Sequence, residues 1–151
     1  MMTIEEFKNK ITKKSRLLGL DLGAKRIGVA ICDDQQSIAT PFKTINKENN
    51  EQFINELKLI IKENDIKGVI VGNPINMDGT LGPSSQSIKD VSANILKKIN
   101  IPLCLWDERL STVGAFNLSS QLDVNISTKV KNIDKNAAAF ILQGAIDYIK
   151  N

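Results

Sequence analysis

The chain has 151 residues, 42% of them hydrophobic and 25% charged, which is the ordinary composition of a single globular domain. No apolar run is long enough to cross a membrane and the start carries no secretory signal, so we expect a cytoplasmic protein with no membrane partner. Histidine is absent, and neither Cys32 nor Cys104 has another cysteine at metal-ligand spacing, so we expect two buried structural thiols. These absences exclude histidine-dependent triads and leave carboxylates to bind any metal, which favours Mg²⁺ or Mn²⁺.

The chain is mildly basic, with a net charge of +3, which alone is weak evidence for a polyanionic partner. Basic residues crowd two stretches, Lys8, Lys10, Lys13, Lys14 and Arg16 near the start and Lys129, Lys131 and Lys135 in a later polar segment. For the first group we favour a solvated face.

The segment 1–16 is polar and amphipathic, and Thr3 with Glu6 matches a capping box, so we predict an N-terminal helical extension there. The rest of the chain, 17–151, shows no repeat and no boundary, and we treat it as one domain.

A hairpin is predicted over 17–33, because two aliphatic runs flank a short turn that contains Lys25 and Arg26. A third extended segment, 37–45, contains Pro41, which predicts an edge strand or a bulge.

Helices and strands alternate in the later part of the chain. The predicted elements are an amphipathic helix over 50–64, a buried strand over 68–72, a loop over 73–83, a helix capped by Ser84 or Ser85, a strand over 102–106, a helix from Ser111 or Thr112, a polar flap over 119–131 and a terminal helix that Asp134 begins. This order predicts an α/β domain: a five-stranded mixed sheet, antiparallel in strands 1–3 and parallel in strands 4 and 5, flanked by helices.

Three acidic positions lie within a strand or at the ends of elements. Asp21 is inside an apolar strand, the pair Asp107 and Glu108 directly follows the fifth strand, and Asp134 begins the last helix. Carboxylates gathered at one sheet edge repel each other unless divalent cations lie between them, and two such ions can activate water for phosphodiester hydrolysis. Simpler interpretations stay open: Asp21 as a turn cap, Glu108 as an ion pair with Arg109, and Asp134 as a helix N-cap.

Four motifs resemble, in order, those of the YqgF/RuvX family of bacterial proteins. They are Gly-Leu-Asp-Leu-Gly-Ala-Lys-Arg-Ile-Gly-Val-Ala at 19–30, Val-Gly-Asn-Pro-Ile-Asn-Met-Asp-Gly-Thr at 71–80, Trp-Asp-Glu-Arg-Leu-Ser-Thr at 106–112 and Ile-Asp-Lys-Asn-Ala-Ala-Ala at 133–139. The resemblance implies an RNase H-like nuclease domain over 17–151 and a metal-dependent endonuclease that matures the 5′ end of precursor 16S rRNA. Through the family's likeness to RuvC it also implies an alternative, resolution of Holliday junctions.

The same resemblance implies roles for individual residues. Asp21 would be the central metal-binding carboxylate, and Glu108 and Asp134 would complete the catalytic set around Mg²⁺ or Mn²⁺. Contacts to the backbone of structured RNA or branched DNA are implied for Lys25, Arg26, Arg109, Lys129 and Lys131. The active species would be a monomer or a homodimer. This chain departs from the family pattern at Cys32, where a small residue is common, and at Asn73, where an apolar residue is usual.

One geometric difficulty follows from the implied fold. Strand four lies between strands one and five in an RNase H-like sheet, so Asp21 and Glu108 would be about 10 Å apart at their Cα atoms. Either their side chains converge, or Asp107 or the less favoured Asp78 replaces Glu108.

Two other functions are open on the sequence alone. The carboxylates could be structural in a non-catalytic ribosome-assembly protein that binds nucleic acid. The hairpin that contains Asp21 also resembles the phosphate loop of actin-type nucleotide-binding proteins, but those pair two domains and this chain supplies one.

Overall fold

The computed structural model describes residues 1–23, 25–74, 85–108 and 133–150, with the side chains of 133–135 excepted. The described elements are α1 (Ile4–Lys10), β1 (Arg16–Leu22), β2 (Arg26–Cys32), β3 (Ala39–Asn46), α2 (Asn50–Glu63), β4 (Ile66–Asn73), α3 (Ser85–Lys98), β5 (Leu103–Asp107) and α4 (Ile133–Lys150). The helix predicted from Ser111 or Thr112, the flap over 119–131 and most of the loop over 73–83 lie outside the described residues. Within the described ranges, no helix is both long and apolar enough to span a bilayer.

The five strands form one sheet in the order β3-β2-β1-β4-β5. Neighbours β1, β2 and β3 pair antiparallel, whereas β4 pairs in parallel with both β1 and β5. The predicted α/β class and mixed sheet are confirmed, and β4 lies between β1 and β5 as the resemblance implied.

Strand β3 is at the edge of the sheet, as Pro41 predicted. Pro41 pairs with Ala30 and Lys43 pairs with Val29, so Phe42 is an extra residue that bulges out of the ladder. A proline that cannot donate a backbone hydrogen bond is tolerated at such a position, and the bulge protects the edge from pairing with another chain.

Two hydrophobic cores lie on opposite faces of the sheet, because successive side chains of a strand point to opposite faces. The first core joins Leu18, Leu20, Val69 and Val71 of the sheet to Phe53 and Leu57 of α2 and to Ile88 and Ile95 of α3. The second core joins Leu17, Ile70, Cys104 and Trp106 of the sheet to Phe7 of α1 and to Ala138, Leu142 and Ile146 of α4. The helices therefore cover the two faces in pairs.

Helix α1 has the predicted capping box but ends earlier than predicted. The Thr3 hydroxyl accepts from the Glu6 backbone N–H at 3.2 Å, and the Glu6 carboxylate accepts from the Thr3 N–H at 3.3 Å. The helix stops at Lys10 instead of continuing to residue 16, because the chain must already be extended at Arg16 to begin β1. Phe7 is fully buried beside Gly68, so this segment is part of the domain core.

Arg16 corrects the interpretation of the N-terminal basic group as one solvated face. Its guanidinium donates to the backbone carbonyls of Cys32 at 3.3 Å and Asn64 at 3.1 Å. Arg16 therefore ties β1 to the end of α2, and the lysines of the group remain exposed.

Both thiols are buried and free, which confirms the structural interpretation. Cys32 Sγ accepts a hydrogen bond from the Leu17 N–H at 3.2 Å. Burial raises the pKa of the Cys104 thiol to about 12, so this group stays protonated at neutral pH.

Candidate metal and nucleic-acid site

The acidic residues meet at the edge of the sheet where the parallel strands end. Asp21 is the last residue but one of β1, Gly72 and Asn73 end β4, and Asp107 ends β5 with Glu108 directly after it. Because β1, β4 and β5 run in parallel, their carboxyl ends lie side by side. Ligand-binding groups commonly occupy this position in α/β sheets.

Strand alternation places Asp21 and Glu108 on the same face. Leu17 lies in the core under α4, and Asp21, four residues later, has the same orientation. Trp106 lies in the same core, and Glu108 is two residues further on. Asp107 alternates to the face where Leu105 packs, so this placement favours Glu108 over Asp107 as the partner of Asp21.

Gly72 lets the Glu108 side chain cross the strand that separates it from Asp21. A Cβ atom at Gly72 would lie 3.3 Å from the Glu108 carboxyl carbon and 2.5 Å from Ile141 Cδ1. The Glu108 carboxyl group therefore lies over β4, so close that a Cβ at position 72 would displace it by a few tenths of an ångström. The Glu108 side chain thus reaches over β4 towards β1, which favours the first alternative of the geometric difficulty, convergence with Asp21.

Sequence reasoning missed Gly72, which was taken only as the end of a buried strand. A usable signal was present, since a glycine at the carboxyl end of a central strand often marks a place where another group approaches the backbone closely.

The electrostatics of Glu108 show that it is close to other carboxylates. Burial, and then the charges of Asp21 and Asp107, raise the pKa of Glu108 from 4.5 to about 7. Its backbone N–H donates to the Asn73 carbonyl at 3.3 Å, which fixes the start of the segment that follows β5. A divalent cation between Asp21 and Glu108 would replace this repulsion by attraction to the cation. Carboxylate oxygens are the ligands that Mg²⁺ and Mn²⁺ prefer, so these residues fit such an ion.

Asp134 lies in the first turn of α4, and that helix covers the same face of the sheet. Leu142 lies against Gly19 in β1, and Ile141 lies against Gly72 near the acidic edge. The N-terminal half of α4 therefore approaches the edge of the sheet that carries Asp21 and Glu108. The Asp134 side chain is outside the described residues, and among those described no three metal-ligating side chains form a group.

Two of the predicted phosphate contacts lie in the hairpin beside Asp21. Lys25 and Arg26 are exposed. The turn is tight, because the Gly23 N–H donates to the Arg26 carbonyl at 3.0 Å and a Cβ at Gly23 would lie 2.5 Å from that oxygen. Arg109, Lys129 and Lys131 lie outside the described residues.

Comparison with known families decides the assignment. The profile described as "RuvX: Holliday junction resolvase" matches residues 15–148, which is nearly the whole chain. The chain belongs to the RuvX family. The family prediction made from the four motifs is confirmed.

Curated relatives of this RuvX chain match it over their full length. A protein of Pelagibacter ubique (strain HTCC1062) is 70% identical over 151 residues and covers 100% of both chains. A protein of Ruegeria pomeroyi is 40% identical over 149 residues, which are 99% of this chain and 97% of the relative. Both relatives have the name "Putative pre-16S rRNA nuclease".

Solved structures confirm the RNase H-like, RuvC-like fold. Thermus thermophilus RuvC in complex with a Holliday junction substrate superposes with a TM-score of 0.64 at 10% identity, over 90% of this chain and 95% of that one. A second T. thermophilus RuvC structure gives a TM-score of 0.55, also at 10% identity, over 89% and 95% of the two chains. At such identities the similarity concerns the fold alone.

Proposed function

We propose that this RuvX chain is a divalent-metal-dependent endonuclease that hydrolyses phosphodiester bonds in the 5′ maturation of precursor 16S rRNA. The observation that carries the proposal is the position of the Glu108 carboxyl group over Gly72, where the charge of Asp21 helps to raise its pKa, on the face that α4 covers. The name shared by relatives that are 70% and 40% identical supports the RNA substrate.

The metal ions would be bound by Asp21, Glu108 and Asp134, whose carboxylate oxygens suit Mg²⁺ or Mn²⁺. When bound, two such ions activate a water molecule and stabilise the leaving oxygen of a phosphodiester. In the alternative role, Glu108 orients the attacking water instead of binding metal.

The hairpin would position the substrate. Lys25 and Arg26 are exposed in the turn that follows Asp21, where they can contact phosphates on either side of the cleaved bond. Arg109, Lys129 and Lys131 are the further basic residues proposed for this surface. Such contacts neutralise the backbone without reading its sequence, so binding should weaken steeply with salt.

The decisive experiment replaces Asp21 by Asn, which keeps the shape of the side chain and removes its charge. We expect Mg²⁺-dependent cleavage of a precursor 16S rRNA 5′ leader to be lost while the melting temperature stays close to that of the wild type. Asp90→Asn is the matched control, because Asp90 is exposed on α3 and its oxygen can still accept from Gln86. Cleavage at the wild-type rate by Asp21→Asn would refute the mechanism.

Branched DNA is the second candidate substrate, favoured by the description of the matching family profile. Cleavage of a four-way DNA junction and of the rRNA leader, measured side by side, separates the two substrates. A junction resolvase should also act as a symmetric dimer that makes paired nicks, so a monomer in solution would argue against it. A non-catalytic assembly role predicts no cleavage of either substrate and no rise in melting temperature with Mg²⁺.

A further inference from the structure

A second basic site lies at the opposite end of the sheet from the acidic edge. Here α1, the turn after β2 and the end of α4 surround a cavity of about 870 Å³. Three exposed lysines line it: Lys8 of α1, Lys13 of the segment between α1 and β1, and Lys150 at the end of α4. We call this feature the lysine cavity.

The side chains that line the lysine cavity carry positive charge only. Its lining contains no acidic residue, and none of the three ammonium groups forms an ion pair with a carboxylate of the described chain. The C-terminal ends of α1 and α4 contribute about −0.5 charge each, which leaves roughly two positive charges.

Three acidic groups near the lining residues in sequence have hydrogen-bond partners of their own. Glu5 accepts from the Tyr148 hydroxyl at 2.9 Å, and Glu6 is held by the capping box. The Asp33 carboxylate accepts from the backbone N–H groups of Ser37 and Ile38, which lowers its pKa. These hydrogen bonds hold the three carboxylates on partners other than the lysines.

Gln36 builds a firm wall of the cavity. It is 2% exposed and has a positive φ of 54°, and its side-chain amide donates to the carbonyls of Thr12 at 2.9 Å and Ser15 at 2.8 Å. The carbonyl oxygens of Thr12 and Ser15, which would repel an anion, are thereby hydrogen-bonded to Gln36. Lys150 Nζ donates to Ser37 Oγ at 3.2 Å, which holds the end of α4 against the same turn.

We propose that the lysine cavity binds phosphates of the substrate RNA strand at a distance from the cleaved bond; this rests on the proposed function. Helix α4 connects the two sites, with Asp134 in its first turn and Lys150 at its end, a span of about 25 Å at 1.5 Å per residue. For a strand in helical form, whose phosphates advance about 3.4 Å each along the helix axis, the sites are roughly seven nucleotides apart. The cavity would therefore measure out a flanking segment of the RNA and fix its direction.

The test combines Lys8→Gln, Lys13→Gln and Lys150→Gln in the full chain. Binding of a labelled single-stranded RNA of about 20 nucleotides is measured without divalent metal over a range of salt concentrations. Loss of three phosphate contacts should reduce the slope of log affinity against log salt by about 2, since each contact on a single strand contributes about 0.7.

The matched control combines Lys58→Gln, Lys62→Gln and Lys97→Gln, which removes three exposed lysines from α2 and α3 on the other face of the sheet. We expect this variant to keep the wild-type salt slope. Equal slopes for the two triple variants, with the wild type binding RNA, would overturn the lysine cavity and leave the proposed function intact. Absence of RNA binding by the wild type would also overturn the lysine cavity, while the proposed function is decided separately by the cleavage assay of Asp21→Asn.

Discussion

The carboxyl carbon of Glu108 lies 3.3 Å from the point where a Cβ atom of residue 72 would be, and residue 72 is glycine. Strand β4 separates the strands that carry Asp21 and Glu108, so their side chains can meet only over β4. The absent side chain of Gly72 thus makes the acidic site possible, and this relationship has direct consequences for activity.

Gly72→Ala should therefore damage the site. The new methyl group would lie 2.5 Å from Ile141 Cδ1 and would press on the Glu108 carboxyl group. We expect destabilisation of about 1–3 kcal/mol by overpacking. Cleavage per folded molecule should fall by about 100-fold, because a small misplacement of a catalytic group can cost that much.

Gly68→Ala is the matched control, since its Cβ would lie 2.5 Å from the Phe7 ring, away from the acidic edge. It should lower the melting temperature with little effect on cleavage by the folded fraction. Equal cleavage by the Gly72→Ala and Gly68→Ala variants, corrected for folding, would show that Gly72 has no special role at the site.

Glu108→Gln should change how stability depends on pH. The folded-state pKa of Glu108 is raised from 4.5 to about 7. The contribution of protonated Glu108 to the free energy of unfolding is therefore fully present below pH 4.5 and is lost as the pH rises through 7. At 1.36 kcal/mol per pKa unit this amounts to at most about 3 kcal/mol by pH 8. In metal-free solution, Glu108→Gln should therefore flatten the fall in stability over this range.

Urea unfolding at pH 5 and at pH 8 with a chelator measures that effect. Glu63→Gln, at an exposed position near the end of α2, is the control and should keep the wild-type pH dependence. If the wild type and the Glu108→Gln variant lose equal stability between these two pH values, the pKa of Glu108 is not raised in the folded protein.

Phe7→Ala tests whether the N-terminal helix belongs to the domain. Phe7 is 0% exposed and packs against Gly68 and Leu17, so its truncation should cost about 3–5 kcal/mol. Ile38→Ala is the control, because Ile38 is 65% exposed and should cost little. Thermal or urea unfolding measures both variants, and a small effect of Phe7→Ala would mean that α1 is an independent extension.

Local patterns predicted much of this fold because their causes are local. The Thr3 hydroxyl accepts a hydrogen bond from the first turn of the helix, which explains the capping box. Pro41 has no backbone N–H to donate to a neighbouring strand, which explains the edge position of β3. The end of α1 was misplaced by several residues, because pairing of Arg16 in the sheet overrides the amphipathic pattern of the segment 1–16.

The arrangement of the two sites could not be predicted in this way. The approach of Glu108 over Gly72 depends on strand order and alternation together, and the lysine cavity joins segments more than a hundred residues apart. Asn73 is a similar case: this unusual polar residue is buried because its side-chain oxygen accepts from Ser85 Oγ at 3.3 Å.

The central claim is that carboxylates from three separate parts of the chain bind one or two divalent cations. The most direct measurement is an anomalous difference map from crystals of the wild-type protein soaked in Mn²⁺. We predict a peak bounded by the carboxylates of Asp21, Glu108 and Asp134. An occupied Mn²⁺ elsewhere with no peak at this edge, and with Asp21 and Glu108 turned away from each other, would contradict the account.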